Sequence, residues 1–210
     1  MRCLEMNKKN HLIALACLGA YQGTPLVDIK EVSPTIQVEM RYATNNNFTG
    51  DPLTGYIANR CFLLPKAAAA LKEVQQDLKE QGLGLRVYDC YRPVSASQDM
   101  VRWATETGNK HLLGEYISSR SEHNKGYVLD LTLINLNTGQ EVEIGKYDEF
   151  SAAAWTQNGT PEQKPNRQIL KRAMEKHGFG NYSKEWWHFW FQEYHNAKDR
   201  YQSYTVPIQR

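Results

Sequence analysis

The chain has 210 residues, 41% of them hydrophobic, and its 25 Lys and Arg against 23 Asp and Glu leave a formal net charge of +2. This length suits one domain with a sizeable core, and the composition excludes a disordered or membrane-embedded chain. So mild a charge, with no basic stripe interleaved with aromatic residues, gives no reason to expect nucleic-acid binding.

The N-terminal residues differ from the rest of the chain and have the order of a secretory signal. Lys8 and Lys9 precede an apolar run over 12–20, and polar residues follow it. A positive start, an apolar middle and small residues near a cut are typical of an exported protein. We therefore expect residues 1–20 to be a signal segment and 21–210 to form the mature domain, in the periplasm or cell envelope.

Other interpretations of this end remain open. Cys17 after Leu15 and Ala16 is compatible with a lipidated cysteine instead of a cleaved signal. Glu5 and His11 do not fit a signal well, and a short exposed helix or a mis-assigned start is the alternative, with the protein in the cytoplasm. The apolar run is too short to span a bilayer as a stable helix, so we expect no stable membrane span.

The first part of the mature chain predicts a strand, a loop and a helix. Alternating apolar and polar residues predict the strand over 36–42, and three Asn with Gly and Pro predict the loop over 45–59. The clearest helix covers 65–81: Pro65 suits its first position, Ala, Leu, Lys and Glu fill its body, and Gly82 ends it.

A short strand over 85–89 leads to Arg92 in a loop. A helix follows to about Thr107, and Ser95 or Ser97 is the expected N-cap, since a hydroxyl can accept a hydrogen bond from the first free backbone N–H groups.

The alternation over 129–136 predicts a strand on which Asp130 shares one face with Thr132 and Ile134, while leucines line the other. Residues 141–144 are expected to pair back with it as a hairpin across 137–139.

The last elements are a helix over 166–176, ending at Gly178, and an aromatic strand over 186–191. Helices mixed with antiparallel strands predict an α+β fold. We expect a single compact domain with a small, mostly antiparallel sheet flanked by helices.

His123, Asp130 and His188, with Glu185 three residues before the last of them, are the most informative residues of the chain. Two imidazoles and a carboxylate are a ligand set for a catalytic zinc, because three protein ligands leave a fourth position for water. The additional carboxylate can accept a proton from that water, which indicates hydrolysis. Gly126 allows a tight turn between the first two ligands. A surface loop beside an aromatic core strand is the alternative without function.

Regular strand geometry would put Glu185 and His188 on opposite faces of the last strand. The two side chains can converge only if Glu185 lies on a loop or bulge before that strand.

The chain resembles the D-alanyl-D-alanine dipeptidases of the vancomycin-resistance type, within the larger group of zinc D,D-peptidases. The pattern Ser-x-His-x-x-Gly-x-x-x-Asp matches residues 121–130, and Glu-x-Trp-His matches 185–188. Two further stretches, 41–50 and 88–93, match in the same order, and the resemblance covers about residues 28–206.

The resemblance implies hydrolysis of the dipeptide D-alanyl-D-alanine to D-alanine. It implies one zinc per chain, held at the sheet edge by His123, Asp130 and His188, with Glu185 as general base on the loop before the strand. Small dipeptides are then the expected partner, and the sequence contains no signal for an oligomeric state.

The remaining site residues follow from the same resemblance. Arg92, restrained by the following Pro, offers a planar fork of donors for a developing oxyanion, although a surface ion pair is its alternative. Asp148 and Tyr42 are expected at the substrate's ammonium group, and Ser121 at its carboxylate.

Cys61 and Cys90 would remain after removal of a signal. An oxidising compartment could pair them, whereas their apolar surroundings also fit two buried thiols.

Two rival functions also remain open. One is a D,D- or L,D-carboxypeptidase acting on peptidoglycan peptides, which would need the amine end of the pocket open where Asp148 is expected to close it. The other is a catalytically silent zinc-binding or wall-binding protein, against which Glu185 and Arg92 argue.

Overall fold

The computed structural model describes residues 24–209. The predicted signal segment over 1–20 and Cys17 lie outside this range. Within it, the structure contains no helix that is long and apolar enough to cross a membrane.

The described residues form seven strands and five helices. In chain order they are β1 (Val27–Asp28), α1 (Ile29–Val32), β2 (Gln37–Val38), β3 (Phe62–Leu63), α2 (Pro65–Lys79), β4 (Leu83–Asp89), α3 (Val94–Glu106), β5 (Val128–Asn135), α4 (Gln163–Lys176), β6 (Phe179–Asn181), β7 (His188–Phe191) and α5 (Gln192–His195). Short 3₁₀ helices include Arg41–Ala43 and Glu122–Lys125.

Five strands form the central sheet in the order β2-β4-β5-β7-β6, and β1 pairs with β3 beside it. In the central sheet the short β2 runs parallel to β4, and the other neighbouring strands of that sheet are antiparallel. Helices α2 and α4 pack against each other and against the sheet. The predicted α+β fold is therefore confirmed.

The middle strand, β5, is buried on both faces along almost its whole length. Leu129, Leu131 and Leu133 fill one side, as the alternation predicts. Asp130 is buried on the other side, and its neighbours in register are Asp89 on β4 and His188 on β7. The candidate metal site therefore lies where β4 ends and β7 begins. The strand between them, β5, carries Asp130 and is the middle strand of the sheet.

Two element predictions need correction. The strand predicted over 36–42 is confined to Gln37–Val38, because the chain then leaves the sheet and the Met40 N–H donates to Asn59 Oδ1. Tyr42 therefore lies on a 3₁₀ helix. The hairpin over 141–144 is reduced to an isolated bridge between Ile134 and Glu141.

The capping prediction for α3 is also wrong. Helix α3 begins directly after Pro93, and the two serines lie inside its first turns. Ser95 Oγ donates to the Thr54 carbonyl, and Ser97 Oγ accepts from Asn124 Nδ2, so both hydroxyl groups have other partners.

Cys61 and Cys90 form a disulfide whose Cα atoms lie 5.4 Å apart. It links the residue before β3 to the residue after β4. Of the two possibilities that the sequence left open, the structure therefore contains the paired form.

Candidate active site

Three elements bring the predicted metal ligands together. His123 lies on the 3₁₀ helix Glu122–Lys125, and Gly126 ends that helix with a φ of +75°. A Cβ at Gly126 would lie 2.3 Å from Leu26 Cδ2, so the left-handed backbone favours glycine and any other residue would also have to displace the buried Leu26 side chain. Asp130 and His188 are then paired in register across β5 and β7.

The three candidate ligand atoms lie at the spacing of a metal centre. His123 Nε2 is 3.3 Å from His188 Nδ1 and 3.4 Å from Asp130 Oδ1, and the last two atoms are 3.1 Å apart. Ligands about 2.0–2.1 Å from a tetrahedral zinc are separated by about 3.3 Å. This group of His and Asp side chains could therefore hold a metal ion without large movement.

Two acceptors lie near Nδ1 of the first of these imidazoles, the carbonyl oxygen of Cys90 and, at 3.3 Å, Asp89 Oδ2. His123 Nδ1 lies 2.9 Å from the carbonyl oxygen of Cys90, to which it can donate its proton. That hydrogen bond leaves Nε2 with a free lone pair facing Asp130 and His188. A metal-binding histidine is commonly oriented in this way.

Glu185 lies on the loop immediately before β7, as the convergence argument required. The strand itself begins at His188, so Trp186 and Trp187, predicted as strand residues, lie in the turn ahead of it. Glu185 Oε2 is 3.5 Å from His188 Nδ1. The carboxyl is almost fully buried, and burial together with the charge of Asp130 raises its pKa well above the usual value.

Arg92 forms a buried ion pair rather than the surface pair considered as its alternative. Its Nε and Nη2 lie 2.9 and 2.7 Å from Asp89 Oδ2. Nη2 is also 3.9 Å from Asp130 Oδ2. Asp89, which the sequence did not single out, thus holds the guanidinium next to the candidate metal ligands.

Asp148 has an unusual backbone and carboxylate. Its φ of +58° is the one positive value for a non-glycine residue among residues 24–209. Oδ1 accepts a hydrogen bond of 3.0 Å from the Tyr42 hydroxyl, whereas Oδ2 is buried without a well-formed hydrogen bond in the described chain. Burial and the charge of Asp130 raise the pKa of this carboxyl to about 7.

Tyr147 is a further residue of the site that sequence reasoning missed. Its hydroxyl oxygen lies 3.1 Å from Asp130 Oδ2 and 3.1 Å from the Tyr42 hydroxyl. Its position directly before Asp148 was the only signal in the sequence, and that position predicts no role by itself.

An open cavity of about 380 Å³ collects these groups. Its wall includes all eight residues predicted for the site: Tyr42, Arg92, Ser121, His123, Asp130, Asp148, Glu185 and His188. Trp190 and His195, whose rings lie 4.9 Å apart, also line it and were not predicted. The chain thus brings a candidate metal centre, a buried carboxyl, a guanidinium and a second carboxyl to one cavity large enough for a dipeptide.

Comparison with known proteins agrees with this arrangement. Residues 22–207 match the family Peptidase_M15, described as D-ala-D-ala dipeptidase. A D-alanyl-D-alanine dipeptidase of Enterococcus faecalis is 35% identical over 179 residues, which cover 77% of this chain and 88% of that protein. Dipeptidases of the same name from Enterococcus faecium and Streptomyces coelicolor are each 32% identical, over 77% and 79% of this chain and 88% and 90% of their own lengths.

Proposed function

We propose that this chain, which belongs to the Peptidase_M15 family of D-ala-D-ala dipeptidases, cleaves D-alanyl-D-alanine. The reaction would be a zinc-dependent hydrolysis with Glu185 as the general base. Family membership makes the chain a peptidase. The observation that carries the zinc proposal is the set of three ligand atoms separated by 3.1–3.4 Å.

His123, Asp130 and His188 would hold the zinc. The donor set of two imidazole nitrogens and one carboxylate oxygen suits this ion, and it leaves a fourth position open. The Cys90 carbonyl supports the fit, since it directs Nε2 of His123 toward the other two donors. When bound, the zinc supplies Lewis-acid polarisation of the scissile carbonyl and of the attacking water.

Glu185 would carry the proton through the reaction. Its Oε2 lies 3.5 Å from the ligand atom of His188, so a water beside the metal site is within its reach. The carboxylate takes the proton from the attacking water and later gives it to the amine that leaves, so one group serves as base and then as acid.

Arg92 would stabilise the oxyanion that develops on the scissile carbonyl. Two of its nitrogens are held by Asp89, so the planar group has a fixed orientation before substrate binds. A donor that is already oriented costs no reorganisation in the transition state. The same ion pair keeps the buried guanidinium compensated in the free enzyme.

The two ends of the dipeptide would bind at opposite sides of the candidate metal centre. Asp148, oriented by the Tyr42 hydroxyl, offers a buried carboxylate to the ammonium group. Its strained backbone supports a functional role, because strain of this kind persists mainly where function requires it. Ser121 lines the cavity beside His123 and would donate to the terminal carboxylate.

A buried acid at the amine end favours a dipeptidase over a carboxypeptidase that accepts longer wall peptides. A panel of D-alanyl-D-alanine, its N-acetyl form, L,D- and L,L-dipeptides and longer wall peptides, assayed with zinc-loaded protein, tests this. We expect cleavage of the free D,D-dipeptide and little cleavage of the blocked form. Efficient cleavage of the longer peptides would favour the carboxypeptidase.

We also propose that the protein works in the periplasm or cell envelope. Support comes from the signal-like pattern over 1–20 and from the Cys61–Cys90 disulfide, a bond that persists mainly in oxidising compartments.

A further inference from the structure

The two oxygens of Asp130 have different partners, and one of these partners has no part in the mechanism above. Oδ1 is the oxygen 3.1 Å from His188 Nδ1 and 3.4 Å from His123 Nε2. Oδ2 lies 3.1 Å from the hydroxyl oxygen of Tyr147. The same hydroxyl oxygen is 3.1 Å from that of Tyr42, which in turn is 3.0 Å from Asp148 Oδ1.

We propose that Tyr147 is a positioning residue whose single hydroxyl group orients Asp130 for the metal and Tyr42 for the substrate's amine, so that zinc binding and amine recognition are coupled. This inference deepens the proposed function and rests on it.

The coupling follows from counting protons. The four side chains of Asp130, Tyr147, Tyr42 and Asp148 form three successive contacts at hydrogen-bonding distance. The two hydroxyl groups supply one proton each. An ionised Asp130 can only accept, so it takes the proton of Tyr147. The proton of Tyr42 is then left for either the Tyr147 oxygen or Asp148. What occupies Asp148 therefore decides whether the Tyr147 oxygen also accepts a hydrogen bond from Tyr42, which would strengthen the bond that Tyr147 donates to Asp130.

The ring of Tyr147 is fixed independently of its hydroxyl. It packs at 4.6 Å from the ring of Tyr88 and at 5.3 Å from that of Trp187, and the residue is buried. Tyr147→Phe therefore keeps the ring contacts and removes only the hydroxyl.

Tyr88 provides a matched control from the same aromatic cluster. It is buried like Tyr147, and its hydroxyl interacts with Glu141 rather than with the site. Tyr88→Phe thus removes one buried hydroxyl without touching Asp130 or Tyr42.

The test compares zinc affinity, measured by competition with a chelator, in native protein, Tyr147→Phe and Tyr88→Phe. Loss of a group that orients a metal ligand lowers affinity by about 10–100-fold, which we expect for Tyr147→Phe alone. At saturating zinc, its KM for D-alanyl-D-alanine should rise by a larger factor than its kcat falls. Thermal melting of the metal-free proteins checks that each variant folds.

Tyr42→Phe is the second variant, since Tyr42 does not contact Asp130 directly. Coupling predicts a weaker zinc affinity here too, by a smaller factor. A native zinc affinity in Tyr147→Phe overturns the proposal. A zinc affinity that falls in Tyr147→Phe while Tyr42→Phe stays native, or while KM is unchanged, overturns the coupling. If the native protein leaves D-alanyl-D-alanine uncleaved, the proposed function fails, whereas the chelator measurement still decides the role of Tyr147.

Discussion

The carbonyl oxygen of Cys90 lies 2.9 Å from Nδ1 of His123, so a disulfide-bonded residue helps to orient a predicted metal ligand, together with Asp89 Oδ2 at 3.3 Å from the same nitrogen. The contact uses the backbone of Cys90 and leaves its sulfur to the bond with Cys61. The disulfide and the hydrogen bond therefore use different atoms of Cys90, so the effect of each can be measured separately.

Removing the disulfide should lower the free energy of unfolding and leave zinc binding largely unchanged. Closing the loop between positions 29 residues apart stabilises the fold by about 3–4 kcal/mol through the entropy of the unfolded chain. The double variant Cys61→Ala, Cys90→Ala should lose this amount in denaturant unfolding and keep its zinc content at saturating zinc, because the carbonyl remains. Equal stability of oxidised and reduced native protein would contradict this.

Variants of the three candidate ligands should differ from a variant of the candidate base in how much zinc they bind. His123→Ala, Asp130→Ala and His188→Ala should each lower bound zinc and activity together. Glu185→Gln should keep most of the zinc and lose turnover, since it is not a ligand. Metal analysis of the purified variants beside their kcat decides, and full zinc occupancy in His188→Ala would exclude the ligand assignment.

Arg92→Lys tests the oxyanion role. Lysine keeps the charge near Asp89 but cannot present a planar fork, so kcat should fall by about 10²-fold or more while binding weakens less. Steady-state kinetics of the zinc-loaded variant measures both. A near-native kcat would mean that Arg92 serves only the buried ion pair.

The pH dependence of KM should report on Asp148. Its pKa is raised to about 7, so its carboxyl becomes protonated, and loses its attraction for the substrate's ammonium, as pH falls through that value. We expect KM to rise by about tenfold at one pH unit below the pKa. Asp148→Asn should have a high KM that varies little between pH 6 and 8. The same KM profile in both proteins would show that another group titrates.

Intact mass of the protein from its native host tests the compartment. Export predicts a chain that starts near Tyr21, or a lipid-modified Cys17. The Cys61–Cys90 disulfide would lower the mass by two hydrogen atoms relative to the chain with free thiols. A full-length chain with free thiols in the cytoplasm would contradict the localisation and leave the peptidase assignment untouched.

The residue pattern predicted the strand that carries Asp130, because short-range geometry fixes it. The alternation around Asp130 correctly placed it on a strand opposite a leucine-lined face, which depends only on the two-residue period of a strand. The same period showed that Glu185 and His188 could not share one face of a regular strand, whereas the place of Glu185 on the loop before β7 was implied by the family resemblance.

What escaped prediction depends on contacts between distant segments. Asp89 and Tyr147 matter through partners that folding brings close, Arg92 and Asp130, and neither residue type at its position indicates such a partner. The strand over 36–42 was predicted too long for the same reason, since the side chain of Asn59 takes the Met40 N–H.

The pairing of β5 with β7 has a consequence for biogenesis. Asp130 faces His188 in register, and a slip of one residue would turn one of them to the leucine side of the sheet. Misaligned chains therefore cannot assemble the three donors. A ligand that binds only the correctly aligned chain adds its binding free energy to that state alone. Metal supply during maturation would then act as quality control, enriching chains whose strands are aligned.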